Sequence, residues 1–407
     1  MTAQISQEMR ASGVAKVIVI LKKKAANDDT EKIRSNMEKH FITSELSQVS
    51  ALATSSMYQN FQPPATRYYP NLGIMLGTVD KEGLAGLRAA KKVVAGITGA
   101  PPLSLIRPTR AETAQLTQKT TWGIEALSIP ELWKEGYTGK GVLVGHLDTG
   151  VDGSHPVFDG AIAEFAQFDW MGREIYPKPK PFDSEEHGTH TAATIVGRAS
   201  RGRAVGVAPG AKLASAVVIE GGDVIARVLG GMDWAVGKGV KILNMSLGFR
   251  GWWQDFLPLT RLLRRINILP VFAVGNEGPG TSRSPGNYWQ ALSVGAVDKE
   301  MRIPNFSSSQ RFKRNRDPIV PDLVAPGVDI ISARTGGGYQ MMDGSSMATP
   351  HIAGLAALLW EAKPKATENQ IERAIFKSCQ LERGMDSERC SRGIPNGPRA
   401  LAALLKK

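Results

Sequence analysis

Between Met347 and Trp360 the chain shows almost no polar face: Met347, Ala348, Ile352, Ala353, Leu355, Ala356, Leu358, Leu359 and Trp360 leave no side for water. A helix of this kind is stable only when it is buried nearly all round. The chain must therefore build a core large enough to enclose it, and 407 residues with 42% hydrophobic content suffice for one sizeable core plus a small second domain. Pro350 falls in the first turn, where the amide it lacks would be unpaired anyway, and Lys363-Pro364 supplies the stop. Ser346 thus sits at a helix N-terminus, whose free amides and positive dipole end favour an anion formed beside it. Gly344 lets another backbone approach closely. Taken alone, Ser345 and Ser346 read equally well as N-caps.

A serine hydroxyl becomes a nucleophile at neutral pH only with a base and a group that orients the base. Histidines occur at 40, 146, 155, 187, 190 and 351. His187 opens HGTHTAATIVG, where Gly188 and small residues begin another apolar helix, so its imidazole stands at a helix start. His190, one turn on, reads as a packed, hydrogen-bonded neighbour rather than a second base. The orienting acid lies in GVLVGHLDTGVDGSHP. Val142, Leu143, Val144 and Leu147 form a run of the buried parallel-strand type, which ends at Asp148-Thr149-Gly150. Open α/β sheets place their chemistry at the carboxyl ends of such strands. Asp148 is preferred to Asp152 and Asp159, which fall in the turn-rich stretch that follows.

The DTG at 148–150, the HGTH at 187–190 and the GSSMATPH at 344–351, in the order Asp, His, Ser, resemble the motifs of subtilisin-like serine peptidases, the subtilase family. The resemblance runs from near Thr117 to the C-terminus. It implies an α/β fold with a mostly parallel sheet flanked by helices. It also implies an endopeptidase that works through an acyl-enzyme, with Ser346 as nucleophile, His187 as general base then acid, and Asp148 orienting the imidazole. ILPVFAVGNEGPG resembles the family's oxyanion-hole segment, with Asn276 donating its side-chain amide beside Gly275. In KILNMSLG, the edge Ser246-Leu247-Gly248 looks like the strand that pairs with an extended peptide or protein substrate, and Gly221-Gly222-Asp223 matches the opposite wall of the cleft. After Gly248 the pattern departs: Phe249-Arg250-Gly251-Trp252-Trp253 replaces small residues. The two tryptophans either line a hydrophobic subsite or pack under a loop.

Arg198 to Gly206 aligns with a loop that wraps calcium in many subtilisins, but three arginines crowd it and Ser200 stands where an amide ligand is usual. Calcium takes carboxylate and carbonyl oxygens, so that site is expected to be lost. No cofactor is required and no metal ligand is assigned, with a weaker calcium site elsewhere left open.

The first hundred residues alternate strand-like and helix-like runs: strand at 15–21, helix at 29–40, strand at 72–79, helix at 80–90, strand at 93–97. The pattern is that of a small α+β, ferredoxin-like module. Its position resembles the family's inhibitory propeptide, whose tail lies in the cleft, so the chain's own N-terminal domain is an expected partner and the chain a self-inhibited precursor. The resulting division is a propeptide-like inhibitor domain at 1–100, a proline-bearing extended linker with a processing site at 101–118, and a peptidase domain at 119–407. Residues 53–66, rich in Ser, Gln and Pro, look like an insertion.

The formal charge of +12 raises the question of nucleic acid. The excess is spread over both parts, and the densest cluster, Arg311, Lys313, Arg314 and Arg316, follows three serines in what reads as a solvated loop without interleaved aromatics. Neither a nucleic-acid nor a membrane partner is expected, and the chain is taken as a monomer. No signal-length or membrane-spanning hydrophobic run occurs, so cytoplasmic residence is the default, with export by another route left open. Cys379 and Cys390 are too few for a disulfide framework, though close enough in sequence to pair. Thr367 and Gln370 form a capping-box pair opening a helix to Lys377. Two alternatives to a general endopeptidase remain: a dedicated maturation peptidase for one substrate, and a non-catalytic scaffold with a plugged cleft.

Overall fold

The computed structural model describes residues 2–22, 30–42, 66–100, 102–221 and 224–406. Two compact units result: Met1–Pro102 with Gln254–Phe256, and Leu103–Trp253 with Leu257–Lys407.

The first unit is a four-stranded antiparallel sheet in the spatial order Thr66–Tyr69, Ile74–Val79, Ala15–Leu21, Val94–Gly99, with helices at Ala3–Ser12, Thr30–Glu38 and Lys81–Ala89. In the central strand, Ala15, Val17, Val19 and Leu21 alternate onto one face, the period expected of a strand. There they join Ile5, Met75, Leu84 and Leu87 in a single apolar cluster. Asp80 caps the third helix by accepting the Gly83 amide at 2.8 Å. Two elements escape the sequence reading. The helix Ala3–Ser12 carries only one fully buried side chain, Ile5, and the strand Thr66–Tyr69 has no alternating pattern. Most of the proposed insertion, and Asp29 of the expected helix, lie outside the described residues.

The second unit is built on seven parallel strands: β1 (Leu143–Asp148), β2 (Ile162–Gln167), β3 (Lys212–Val217), β4 (Ile242–Met245), β5 (Leu269–Ala273), β6 (Leu292–Val297) and β7 (Leu323–Pro326). Their order across the sheet is β7-β6-β5-β4-β1-β3-β2. The strand order therefore reverses at β1, where open α/β sheets form their crevice. The two apolar helices foreseen from sequence are α1 (His187–Val196) and α2 (Ser345–Ala362), and they pack on each other. Every residue of α2 from Ser345 to Trp360 is buried, Pro350 included. The capping box also forms, with Gln370 N donating to Thr367 Oγ1 at 3.2 Å and Thr367 N to Gln370 Oε1 at 2.9 Å. No helix among the described residues is long and apolar enough to cross a membrane.

The expected linker departs most from expectation. Residues 103 onward belong to the second unit, where Ser104–Leu105 pairs antiparallel with Gly248 and Leu247, and Arg110–Ala114 pairs with Tyr339–Asp343. Extended, proline-bearing sequence reads as linker, but it equally suits a strand added to a free edge.

Cys379 and Cys390 remain unpaired thiols, pushed up by burial to about 12 and about 11. Trp252 lies edge-on to Tyr288 and near Phe312, and Trp253 packs against Phe249, so both tryptophans sit among aromatic neighbours. In the basic loop, Arg311 pairs with Glu388, Arg314 donates to the Asp317 and Asn287 carbonyls, and Arg316 lies over Trp289.

Asp322, at the foot of β7, is 3% exposed and accepts the Ser293 amide at 2.9 Å. Burial pushes its carboxyl up to about 7 against the opposing pull of the Ser293 amide and Arg392. Between pH 4 and 7 the unfolded chain releases this proton while the folded chain keeps it, so stability falls as pH rises through that window. The loss is about 4 kcal/mol at most. Asp322→Asn, which accepts the same amide without ionising, is expected to match the wild type in melting temperature at pH 4 and exceed it at pH 8. Scanning calorimetry at the two pH values checks this, and equal melting temperatures at both would refute it.

Candidate active site

β1 ends at Asp148 because Thr149-Gly150 turns the chain: Gly150 adopts φ +119, and a Cβ there would meet the Phe182 carbonyl at 2.2 Å. Asp148 is wholly buried. Its Oδ1 accepts the Thr149 amide at 2.8 Å and lies 2.7 Å from His187 Nδ1. The approach of α1 depends on Gly188, whose Cβ would sit 2.1 Å from the Gly150 carbonyl, and on its amide donating to Thr149 Oγ1 at 2.8 Å. Facing an ionised acid, His187 Nδ1 carries the hydrogen, which leaves Nε2 as the basic nitrogen. Nε2 has no hydrogen-bond partner among the described residues.

Burial works against charge on both groups, but each outweighs it for the other. The imidazole holds Asp148 below the usual carboxylate range, with help from His146 and the Thr149 amide. For His187, burial is opposed by the charge and hydrogen bond of Asp148, and the net direction is upward from the ordinary histidine value. Geometry and electrostatics thus describe one coupled pair, anionic at the acid and basic at Nε2.

Ser346 is the second residue of α2 and fully buried, and its hydroxyl donates not to His187 but to the carbonyl of Ile106 at 2.7 Å. Asn276 Nδ2 donates to the next carbonyl, that of Arg107, at 2.9 Å. The direction of that amide is set from behind: its Oδ1 accepts both the amide and the hydroxyl of Ser345, at 2.9 and 2.8 Å, so Nδ2 must face the cleft. Gly344 is required because a Cβ there would stand 3.0 Å from Asn276 Nδ2. The Gly275 amide reaches Ser345 Oγ at 3.3 Å, and its φ of +119 suits glycine.

Residues 103–107 lie along the predicted substrate edge. Ile106 N donates to the Ser246 carbonyl at 3.0 Å, Leu105 is in register with Leu247, and Ser104 with Gly248. Beyond the cleft, Thr109 N bonds the Asp343 carbonyl at 2.8 Å. Arg283, buried beneath this edge, donates to Ser104 Oγ at 3.0 Å and is paired with Glu277, so the two opposed charges neutralise each other. At the predicted opposite wall, Gly221 is exposed and gives its carbonyl to Arg227. Gly222 and Asp223 lie outside the described residues.

The structure therefore brings Asp148 and His187 into contact and places Ser346, Asn276, Ser246, Leu247 and Gly248 around one segment of chain, with Gly275 held to Ser345 behind Asn276. His190 donates to the Ile330 carbonyl at 2.9 Å, and burial lowers it to about 3. Sequence reasoning passed over Ser345, Thr191 and His146. Thr191 follows His187 by one turn and His146 precedes Asp148 by two on a strand, so each shares a face with a chosen residue, and this was the available signal.

The loop expected to have lost calcium is a tight turn in which Ser200 and Arg203 exchange backbone bonds and Arg198 donates to the Gly160 carbonyl. No cluster of three His, Cys, Asp or Glu side chains placed to hold a metal occurs among the described residues.

The fold is thus a parallel α/β sheet that carries a buried Asp148–His187 pair at its reversal point, with Ser346 at the start of a helix packed on the one His187 opens. The chain belongs to the subtilase family, whose model matches residues 139–393. It is 34% identical over 273 residues to the M-protease of Shouchella clausii (strain KSM-K16), covering 65% of this chain and 66% of that protein. It is 33% identical over 264 residues to subtilisin E of Bacillus subtilis (strain 168), covering 63% and 65%. A thermostable alkaline protease of Halalkalibacterium halodurans is 35% identical over 262 residues, covering 64% and 68%. The match thus spans about two thirds of each relative's length.

Proposed function

We propose that this chain is a serine endopeptidase of the subtilisin type, held silent by its own residues 103–107. The observation that carries the reading is the antiparallel pairing of residues 104–106 along Ser246 to Gly248, which lays a peptide across Ser346 and Asn276. In the working enzyme, Ser346 gives its proton to His187 Nε2 and attacks the substrate carbonyl. Asn276 and the Ser346 amide hold the oxyanion. His187 returns the proton to the leaving amine, and water then cleaves the acyl-enzyme by the same route.

The relatives named as proteases support this reading of the chemistry. The silence has its own physical basis. The Ile106 carbonyl holds the nucleophile's hydrogen while the Arg107 carbonyl holds the oxyanion donor, so neither peptide bond has both, and the hydroxyl's hydrogen goes to Ile106 rather than to the base. Reactivity needs one carbonyl to take both positions, and Ile106 is already in register with Ser246.

Self-processing after Ile106 is accordingly expected. Incubating purified full-length protein and sequencing the product by mass spectrometry should find a new N-terminus at Arg107, together with hydrolysis of a denatured protein substrate. A chain that stays intact, hydrolyses nothing and takes up no fluorophosphonate would sink the reading.

A further inference from the structure

His146 lies two residues before Asp148 on β1, on the same face of the strand, and is fully buried. Burying an imidazole in the middle of a sheet is costly unless its nitrogens are engaged, and a β-branched residue would fill the place at no such cost. Both nitrogens are engaged: Nδ1 meets Ser215 Oγ at 3.0 Å, and Nε2 meets Thr191 Oγ1 at 2.8 Å. Thr191 Oγ1 in turn lies 3.3 Å from Asp148 Oδ2, the carboxylate oxygen that His187 does not use, and His146 Nε2 is itself 3.7 Å from that oxygen.

The direction of this chain follows from charge. Thr191 has one hydrogen, and besides Asp148 Oδ2 it can reach the carbonyls of His187 at 3.1 Å and Gly188 at 3.2 Å. A carboxylate is the stronger acceptor. With the hydroxyl hydrogen given to Asp148, His146 must donate Nε2–H to Thr191 and accept from Ser215 at Nδ1, so every hydrogen points toward the anion.

We propose that His146 is a positioning residue for the reaction above: through Thr191 it delivers a hydrogen bond to the free oxygen of Asp148 and thereby sets the basicity of His187. The inference rests on the peptidase reading. A donor on Oδ2 fixes the carboxylate's rotation and draws charge away from Oδ1, so the imidazolium is held less tightly and His187 stays neutral, and able to act as a base, to lower pH. The charged groups facing His187 are Asp148 from β1 and Asp183 and Glu185 from the loop before α1. Those facing His146 are Asp148, His187 and Asp183. Its neighbours in register, Ser215 on β3 and Asn244 on β4, are neutral. Burial holds His146 itself below the ordinary histidine value, so it serves as a neutral donor at working pH.

The test is the acid limb of kcat/KM against pH for wild type, His146→Leu, His146→Gln, Thr191→Val and the Leu/Val double variant. His146→Leu should move the limb up by about half a pH unit, a loss of about threefold on that limb. His146→Gln keeps a donor toward Thr191 and should keep the wild-type limb. Thr191→Val should move it as His146→Leu does, with no further movement in the double variant. A merely structural role would lower the melting temperature and leave the limb in place. An unmoved limb in both single variants overturns the inference, and Thr191→Val decides alone should His146→Leu fail to fold. An active wild type with unmoved limbs sinks the inference only, whereas a wild type that hydrolyses nothing sinks the peptidase reading and takes the inference with it.

Discussion

Ser346→Ala should leave the full-length chain at its intact 43.8 kDa on incubation, unlabelled by fluorophosphonate and without activity on a denatured protein. Turnover is expected to fall about 10⁶-fold, the magnitude measured when a subtilisin, a relative of this chain, loses the same serine. The size follows from what is lost: without the hydroxyl, no acyl-enzyme forms, and the site keeps only substrate binding and oxyanion donors. Little collateral damage is expected. Among the described residues the Ser346 side chain makes one bond, to Ile106, whereas Ser345 carries the bonds that orient Asn276. The variant should therefore fold and melt within about 2 °C of wild type, with its own residues 104–106 still seated along Ser246 to Gly248. Retained hydrolysis in a preparation free of wild type would remove the nucleophile assignment.

Asp148→Asn should cost about 10⁴-fold in kcat with KM little changed, the scale found when a triad acid of another fold becomes its amide. Here the surroundings give a specific reason. Oδ1 accepts from the Thr149 amide and His187, and Oδ2 faces the Thr191 hydroxyl. All of these are donors to an anion. An asparagine can satisfy one side only: either its NH₂ meets the hydroxyl donor of Thr191, or it meets His187 Nδ1 and forces the ring hydrogen onto Nε2, where it blocks the base. In both cases the imidazolium loses its counter-charge. Steady-state kinetics between pH 6 and 10 check this, and partial recovery at the alkaline end is expected as deprotonated serine needs no base. A loss below tenfold would mean that Asp148 does not act on His187.

Much of this site could be read locally. The apolar helix behind Ser346, the strand ending at Asp148 and the small-residue helix behind His187 each carry a short-range signature, so the three residues were identifiable before any contact was known. Gly344 could be read as a close-approach position, though not that the atom a Cβ there would meet is Asn276 Nδ2. A Gly-Gly-Asp turn specifies a bend, not which donor takes its carbonyl, so the bond from Arg227 on the following helix to Gly221 had no local signature.

Helix and strand periods, glycine turns and the cap at Thr367 are decided within a few residues, and the amino-acid order alone settled them. The course of residues 103–114 was not settled in that way. Proline-bearing extended chain has no amphipathic face to announce a partner, and its partners are the edge at Leu247–Gly248 and the strand Tyr339–Asp343. The contact between Ser346 and Ile106 joins residues 240 apart in the chain. The aim of Asn276 and the hydrogen-bond chain from His146 to Asp148 belong with it. Each depends on directional bonds between side chains that only the packed sheet and helices bring within about 3 Å, and such bonds leave no period in the sequence.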